Sequence, residues 1–389
     1  MWRTINAHSC RIISFELLMV SIVIAAPLAA GPRYTQQAIG REERAKQISW
    51  DACLHQKKEW YASDEAIRIA DNVLAYQRDN GGWPKDIDMA RALTPRAKER
   101  LARNPAHPSA TIDNGATFTQ MRYLAKVFTS TGNERFAGSL RRGLDYLFAA
   151  QYANGGWPQF YPLIPGYYTR ITFNDDAMIG VMNLLQDIVD RKADFAFVDE
   201  ARRAKARQAV ERGIECILKC QVRVKGTLTV WCAQHDEHDF SPSPARTYEL
   251  ASLSGAESVG IVKFLMRFDN PSPAVVTSVQ SAIRWFDRSR LSGLRVVQVP
   301  DPTAPEGTDK VVVKDPNAPS LWARFYEIET NRPFFSGRDG IPRYDLSEIT
   351  SERRNNYGWL GDWPAQVLRR DYPRWQKRWA PTDNVLISK

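Results

Sequence analysis

Apolar residues recur three or four positions apart in several stretches of the chain. The clearest stretches are residues 116–128, 177–188 and 256–266. This spacing places the apolar side chains on one face of a helix. Strand-like alternation is scarce, with brief candidates at 228–231 and 311–313. The pattern therefore predicts an all-α protein with long loops and little β-structure.

A repeat of about 70 residues organises these helices. In each copy an apolar helical stretch ends in a glutamine, at Gln77, Gln151 and Gln221, and a turn follows. The turn reads Asn-Gly-Gly-Trp-Pro at 80–84 and at 154–158, and the third copy is weaker. Glycine supplies the positive φ that ends a helix, and the tryptophans are interpreted as core residues. Repeats of helix, loop and helix predict a ring of helical hairpins.

The N-terminal segment has the features of a secretory signal peptide. A positively charged start precedes an apolar run at 12–24, and small residues offer a cleavage site before Gly31. Glu16 interrupts the run, and a membrane anchor is the alternative, although the run is short for a span. We expect a signal peptide at 1–30, a single (α/α) barrel domain at 31–389, and a secreted or periplasmic protein.

The formal net charge of +9 predicts an anionic partner, because a basic surface attracts polyanions. Nucleic acid, an anionic membrane and an acidic polysaccharide all fit this sign. The lysines and arginines form no run as dense as a nucleic-acid-binding arm, and the cluster at 202–207 is interpreted as the solvated face of a helix. The 12 tryptophans suit stacking on sugar rings, but such residues also fill cores.

Four cysteines remain after removal of the signal peptide: Cys53, Cys216, Cys220 and Cys232. Cys216 and Cys220 are four positions apart on one predicted helix. This geometry suits neither a good disulfide nor, without histidine partners, a zinc site. Some of the four are interpreted as small buried apolar residues, and their disulfide state stays open.

Two acidic segments precede apolar helices at corresponding places in the repeat. One contains Asp113 and Asn114, and the other contains Asp175 and Asp176. Asp and Asn are preferred helix N-caps, which is the structural interpretation. Each segment nevertheless offers more oxygens than one cap needs, and repeat symmetry predicts that both reach the same rim. Oxygens of Asp113, Asn114 and Asp175 would then suit calcium, with positions left for substrate or water.

Two further clusters contain candidate functional residues. His235, next to Asp236, suggests a general base, and Arg246 suggests a fixed guanidinium. Arg324 and Arg338 lie among aromatic residues, a combination that matches a polymer of carboxylated sugars. Structural roles and surface ion pairs are the alternative interpretation.

Five motifs in this order make the chain similar to the family 10 polysaccharide lyases, the helical pectate lyases. The resemblance runs from about residue 45 to about residue 370. The motifs are Asp-Asn-Gly-Ala-Thr at 113–117, Asn-Gly-Gly-Trp-Pro at 154–158, Phe-Asn-Asp-Asp-Ala at 173–177, Trp-Cys-Ala-Gln-His-Asp at 231–236 and Leu-Trp-Ala-Arg-Phe-Tyr at 321–326.

The resemblance implies an (α/α)3 toroid, Ca2+ as cofactor and polygalacturonate as substrate. It also implies that Asp113, Asn114 and Asp175 bind calcium. Arg246 would act as the base, and Arg324 and Arg338 would bind substrate carboxylates. His235 is a further candidate for substrate binding and the alternative base. We expect a monomer that binds neither nucleic acid nor, once the signal is removed, a membrane.

The expected reaction is β-elimination. Calcium and arginines would stabilise the charge that develops when the C5 proton of a uronate leaves. An arginine base requires a much lowered pKa, so a calcium-bound hydroxide, with Arg246 only stabilising charge, is an alternative.

Two other functions are compatible with the sequence. An inverting glycoside hydrolase would use Asp113 and Asp175 as acid and base, and a pectin-binding protein would have no activity. Loss of activity on chelation of calcium and formation of an unsaturated product would distinguish the lyase from the hydrolase and from the binding protein. The interpretation fails if Asp113 and Asp175 lie at opposite ends of the ring.

Overall fold

Three helical hairpins carry the core of the protein. The structure is a computed structural model that describes residues 48–103, 110–304 and 306–386. The predicted signal peptide at 1–30 and the predicted domain start at residue 31 lie outside the described residues. The described residues form one compact unit.

Eleven α-helices form within the described residues. They are α1 (Trp50–Cys53), α2 (Asp64–Tyr76), α3 (Pro95–Arg103), α4 (Phe118–Thr131), α5 (Glu134–Ala150), α6 (Ala177–Val189), α7 (Glu200–Cys220), α8 (Glu257–Leu265), α9 (Pro273–Arg288), α10 (Ser351–Asn355) and α11 (Tyr372–Trp379). A π-helical turn, Val367–Asp371, precedes α11.

The longer helices form an inner and an outer row. Helix α4 packs against α5, α6 against α7, and α8 against α9. The inner helices α4, α6 and α8 contact one another in turn, as do the outer helices α2, α5, α7 and α9, and α2 also contacts α4. This arrangement confirms the predicted all-α fold, an (α/α)3 toroid with long loops.

The two rows begin differently. Each of the outer helices α2, α5, α7 and α9 starts with a side-chain cap, from Ser63, Asn133, Asp199 and Ser272 respectively. Within the described residues, the inner helices α4, α6 and α8 start without a side-chain cap. An uncapped helix start leaves backbone N–H groups and a partial positive charge at that end.

The three repeated glutamines have the same structural role. Each side-chain amide donates to a carbonyl in the turn after its own helix and to a carbonyl of the next outer helix. The pairs are Gln77 with Gly81 (2.8 Å) and Ser139 (2.9 Å), Gln151 with Gly155 (3.0 Å) and Ala209 (2.9 Å), and Gln221 with Thr229 (2.9 Å) and Ser278 (3.0 Å). The glutamines therefore fix the spacing of the outer helices.

Four buried tryptophans mark the repeat, where the sequence pattern had revealed three. In each, the indole N–H donates to a carbonyl near the end of the preceding outer helix. The pairs are Trp83 with Val73 (2.7 Å), Trp157 with Leu147 (2.9 Å), Trp231 with Ile217 (2.7 Å) and Trp322 with Phe286 (2.7 Å). The fourth copy lies in the C-terminal region, which therefore belongs to the same toroid.

The β-structure is limited to six two-stranded antiparallel ladders within the described residues. Five of them pair strands of two residues: β1 (Ile171–Thr172) with β4 (Gln234–His235), β2 (Arg223–Val224) with β3 (Thr227–Leu228), β5 (Leu253–Ser254) with β9 (Phe325–Tyr326), β8 (Trp322–Ala323) with β12 (Leu360–Gly361), and β10 (Phe335–Ser336) with β11 (Pro342–Arg343). The sixth is a seven-residue hairpin of β6 (Leu294–Pro300) and β7 (Thr308–Lys314), which is longer than the brief strand expected at 311–313.

The four cysteines of the described residues are buried free thiols, so they pack as small apolar side chains. Among the residues that the structure describes, no helix is long and apolar enough to cross a membrane.

Candidate active site

The two acidic segments meet at one rim of the toroid. Asp113 to Gly115 and Asn174 to Asp176 form short 3-10 turns that contact each other, just before the inner helices α4 and α6. Asn114 and Asp175 adopt the same left-handed conformation, each with a φ of 49°. The repeat symmetry anticipated from the sequence therefore holds in three dimensions.

Short backbone links between successive repeats hold these turns in place. The Ile112 N–H donates to the carbonyl of Gln159 at 3.2 Å, and the Asn174 N–H to the carbonyl of Ala233 at 2.9 Å. In the next copy, the N–H of Gly255 donates to the carbonyl of Arg324 at 3.0 Å. Each acceptor lies two residues after a buried tryptophan, so each repeat positions the rim of its neighbour.

The capping interpretation of the acidic residues does not match their contacts. Asp113 is fully buried, and its Oδ1 atom has no hydrogen-bond partner in the described part of the chain. Its Oδ2 atom accepts from Nζ of Lys85. A buried carboxylate oxygen without a donor is costly unless a cation satisfies it. Asp113 therefore fits a metal site better than a helix cap.

Asn114 and Asp175 contribute further oxygen atoms to this rim. The Asn114 amide nitrogen donates to Asp86 at 2.8 Å, and Asp175 Oδ2 accepts from Asn174 at 2.6 Å. Within the described ranges, no group of three or more His, Cys, Asp or Glu side chains is arranged for a metal. The candidate set instead combines two carboxylates with one amide, and such hard oxygens suit calcium.

Asp176, the next residue in the chain, lies close to the carboxylates of Asp175 and Glu257. Burial, followed by the nearby carboxylates of Glu257 and Asp175, raises the pKa of Asp176 to about 6. Crowding of carboxylates raises pKa because each disfavours the charged form of the other. A cation at this rim would relieve that repulsion.

Arg324 lies at the same rim, between strands β8 and β9. Its Nη2 donates to Asp175 Oδ1 at 3.0 Å and also to Glu257. The side chain is only 11% exposed and lies 4.6 Å from the ring centre of Tyr357. Burial lowers the pKa of Arg324, but Glu257, Tyr357 and Asp175 together raise it above its ordinary value. The guanidinium is therefore permanently charged.

Arg246 is held in a tight loop by Glu249. Its Nη1 donates to Glu249 Oε1 at 3.0 Å, and its backbone N–H donates to Oε2 at 3.1 Å. Burial lowers the pKa of Arg246, but Glu249, then Tyr248 and Tyr167, raise it overall. In this arrangement Arg246 is a charged, half-buried group.

Arg338 reaches the same region from the turn between β10 and β11. It is 65% exposed, pairs with Glu352 at 2.9 Å and lies 5.9 Å from the ring centre of Tyr248. Tyr248 belongs to the Arg246 loop, so the exposed Arg338 lies beside that loop.

His235 has a different environment from the one expected of a base. It is fully buried, its Nδ1 contacts the carbonyl of Phe240 at 2.8 Å, and the N–H of Cys232 donates to its Nε2 at 3.0 Å. Burial lowers its pKa to about 4. Both ring nitrogens are thus occupied by the backbone, in the segment that carries β4.

Sequence reasoning missed Lys85, Glu249, Glu257 and Tyr357 as members of this region. A signal existed for Lys85. It lies two residues after Trp83, as Arg324 lies two residues after Trp322, whereas the two middle copies have Gln159 and Ala233 there. The cations at this position in the first and fourth copies are therefore candidates for a role at the rim.

Comparison with known proteins gives consistent matches. The family model described as "Pectic acid lyase" matches residues 77–368. Among solved structures, a family 10 polysaccharide lyase from Cellvibrio cellulosa is 37% identical with a TM-score of 0.70, covering 79% of this chain and 91% of that chain. An aspartate-to-alanine mutant of that family from the same organism, in complex with trigalacturonic acid, is 34% identical with a TM-score of 0.71, covering 85% and 99%. The comparison with curated protein sequences found no match.

Proposed function

The chain belongs to the pectic acid lyase family and is a pectate lyase, and from this premise we propose that it cleaves polygalacturonate with the help of calcium. The observation that carries the proposal is the meeting of the Asp113 and Asp175 turns at one rim, with an unpaired buried oxygen on Asp113. Galacturonate oligomers, as in the complex of the related lyase, are substrates of the right charge for this basic chain.

We propose that Asp113, Asn114 and Asp175 hold the calcium ion. When bound, calcium would withdraw negative charge from the uronate carboxylate and so make the neighbouring C5 proton more acidic. Asp113 is already fixed by burial, and the left-handed turns fix Asn114 and Asp175. The turns fix the backbone here, and the Asp175 side chain, now hydrogen-bonded to Arg324, would turn to the cation.

The arginines supply the remaining chemistry. Arg324 and Arg338 would bind substrate carboxylates, because a guanidinium matches a carboxylate with two parallel hydrogen bonds. Arg246 would take the proton from C5, and the C–H electrons form the C4–C5 double bond. The C4–O bond breaks with its electron pair passing to the departing sugar oxygen, which takes a proton from water. A neutral guanidine is required for that step, and Glu249 opposes it in the present arrangement. No chemical step is assigned to His235, whose nitrogens are both occupied.

One assay tests this proposal against the two other functions. Polygalacturonate is incubated with the protein in calcium and then in chelator, and formation of the unsaturated product is followed by its ultraviolet absorbance. We expect product in calcium only. New reducing ends without a double bond would indicate a glycoside hydrolase. Substrate binding that survives chelation, with no product under either condition, would indicate a binding protein.

Export of the protein is a separate proposal. It rests on the signal-peptide features of residues 1–30, and the destination is the periplasm or the medium. We also propose a monomer. Fractionation of expressing cells and light scattering of the purified protein test the two points.

A further inference from the structure

Glu249 is a buried carboxylate that no step of the proposed reaction uses. It is 5% exposed. Oε1 accepts from Nη1 of Arg246 at 3.0 Å, and Oε2 accepts from the backbone N–H of Arg246 at 3.1 Å. The Glu249 N–H in turn donates to the carbonyl of Arg246 at 2.8 Å. Both the backbone and the guanidinium of Arg246 are thus fixed by one residue.

Tyr357 extends this contact to the other side of the site. Its hydroxyl donates to Glu249 Oε1 at 2.9 Å, although the two residues are 108 positions apart. The guanidinium of Arg324 lies over its ring, 4.6 Å from the centre. Glu249 and Tyr357 therefore form a continuous link from Arg246 to Arg324.

The groups around this link are mostly cationic or phenolic. Tyr248 and Tyr167 face Arg246. Arg353 lies 4.4 Å from the ring centre of Tyr248 and 5.8 Å from that of Tyr357. The carboxylates near Tyr357 are Glu249 and Glu257. Glu249 is thus the carboxylate bonded directly to the Arg246 side chain.

We propose that Glu249 and Tyr357 are positioning residues, which hold Arg246 at a fixed place relative to Arg324 so that both guanidiniums act on one uronate. The inference rests on the proposed function, because it assumes that Arg246 and Arg324 address the substrate. Elimination requires the base at C5 and the charge on the carboxylate of the same sugar to be aligned. A link of two hydrogen bonds, from Arg246 and from Tyr357 to Glu249, and one cation–π contact provides that alignment before substrate arrives.

A purely structural role for Glu249 makes a different prediction. Loss of its hydrogen bonds would lower the free energy of unfolding, but the folded fraction would keep the wild-type kcat and pH profile. Loss of a positioning role lowers kcat in fully folded protein. Removal of the negative charge also lowers the pKa of Arg246, so a base at this position would lose its proton at lower pH.

The test uses Glu249→Gln and Tyr357→Phe in the full-length protein, with folding checked by circular dichroism. Glu249→Gln keeps the shape and removes the charge, and Tyr357→Phe keeps the ring under Arg324 and removes the hydroxyl. The control is Asp269→Asn, which removes the charge from an exposed ion pair with Arg378. Calcium-dependent lyase activity is measured on polygalacturonate as a function of pH.

We expect kcat of Glu249→Gln to fall by roughly 10- to 100-fold, with KM nearly unchanged and the acidic limb of the profile moved to lower pH. The kcat of Tyr357→Phe should fall less, by about 3- to 10-fold. The double variant should lose less kcat than the product of the two single losses, since both residues act through one link. Wild-type kcat in the folded variants, a loss confined to KM, or, for Glu249→Gln, a lowered kcat with an unmoved pH profile overturns the proposal. If Glu249→Gln does not fold, the kcat of Tyr357→Phe alone tests the proposal, and a wild-type kcat overturns it.

Failure of the underlying function gives a different result. Absence of unsaturated product from the wild-type protein in calcium overturns the proposed function, and this inference with it. Product from the wild-type protein, together with unchanged kinetics of both variants, overturns the positioning roles alone.

Discussion

Arg324 donates a hydrogen bond to Asp175 at 3.0 Å, so a proposed substrate-binding residue is paired with a proposed calcium ligand. Each neutralises the charge of the other at the rim. Glu257 also contacts Arg324, which keeps the guanidinium anchored when Asp175 turns to another partner. The carboxylate of the substrate and the cation would therefore meet residues that already lie side by side.

Replacement of Asp175 by alanine tests the calcium site. We expect Asp175→Ala to abolish calcium-dependent turnover and to weaken calcium binding without unfolding the protein, because one of the charged oxygens is lost. Calorimetric titration with calcium and an activity assay measure the two effects. Asp269→Ala, which removes an exposed carboxylate paired with Arg378, is the control. Full activity of Asp175→Ala would exclude Asp175 from the site.

Replacement of Arg246 tests its role at the reacting carbon. Arg246→Ala should lower kcat by at least about 100-fold with a small change in KM, as expected for loss of a proton-transferring group. Arg246→Lys keeps a charge but not the guanidinium geometry, and should recover little. Steady-state kinetics on polygalacturonate give both constants. A defect seen in KM alone would make Arg246 a substrate clamp.

Lys85 offers a test of the metal site that does not depend on activity. It is the cation paired with the fully buried Asp113. Lys85→Met should lower the free energy of unfolding by about 3 kcal/mol without calcium, since breaking a buried ion pair leaves an uncompensated charge. Added calcium should stabilise the variant and raise its Tm, because calcium binds the folded state. The exposed Lys57→Met is the control, and equal Tm values with and without calcium would contradict a site at Asp113.

The buried His235 predicts a specific dependence of stability on pH. Its folded pKa of about 4 lies below the ordinary 6.5, so the unfolded state binds the proton more readily. Through this linkage, the free energy of unfolding is highest above pH 6.5. It falls by about 3 kcal/mol as the pH decreases towards 4. Urea denaturation across this range measures it. His235→Gln should flatten the dependence, and the exposed His238→Gln should retain it; identical slopes for both variants would refute this assignment.

Alanine substitutions at two glycines distinguish the cost of backbone strain from the cost of steric overlap. Gly155 and Gly226 both have positive φ, at 92° and 82°. A Cβ at Gly155 would overlap the backbone oxygen of Arg212, whereas no described atom lies within 4 Å of a Cβ at Gly226. Gly155→Ala should therefore cost roughly 3 kcal/mol more than Gly226→Ala. Thermal denaturation compares them, and similar Tm values would show that the turn relaxes.

The helical toroid could be predicted from the sequence because its signals are local. Apolar spacing defines each helix over one or two dozen residues, and the repeat of Gln and Trp shows that the hairpins are equivalent. The same symmetry predicted that Asp113 and Asp175 meet at one rim. The same local geometry in two repeats, such as the left-handed Asn114 and Asp175, then follows from equivalent positions in equivalent units.

Short strands and side-chain partners could not be predicted in the same way. Strands of two residues are too short to show an alternating pattern, so the five short ladders could not be recognised in the sequence. The contact between Glu249 and Tyr357 joins segments 108 positions apart, and no local rule specifies it. Histidine chemistry suggested a base at His235, but burial decides its pKa, and burial depends on the complete fold.

The sequence by itself thus determined the helices, their repetition and the residue types gathered at one rim, because these depend on near neighbours along the chain. Only the tertiary structure decided which charges pair: Lys85 with Asp113, Arg324 with Asp175 and Glu257, and Arg246 with Glu249. The interaction energy of two charges decreases with their separation and depends on their burial. Separation and burial are both set only when distant segments of the chain pack together.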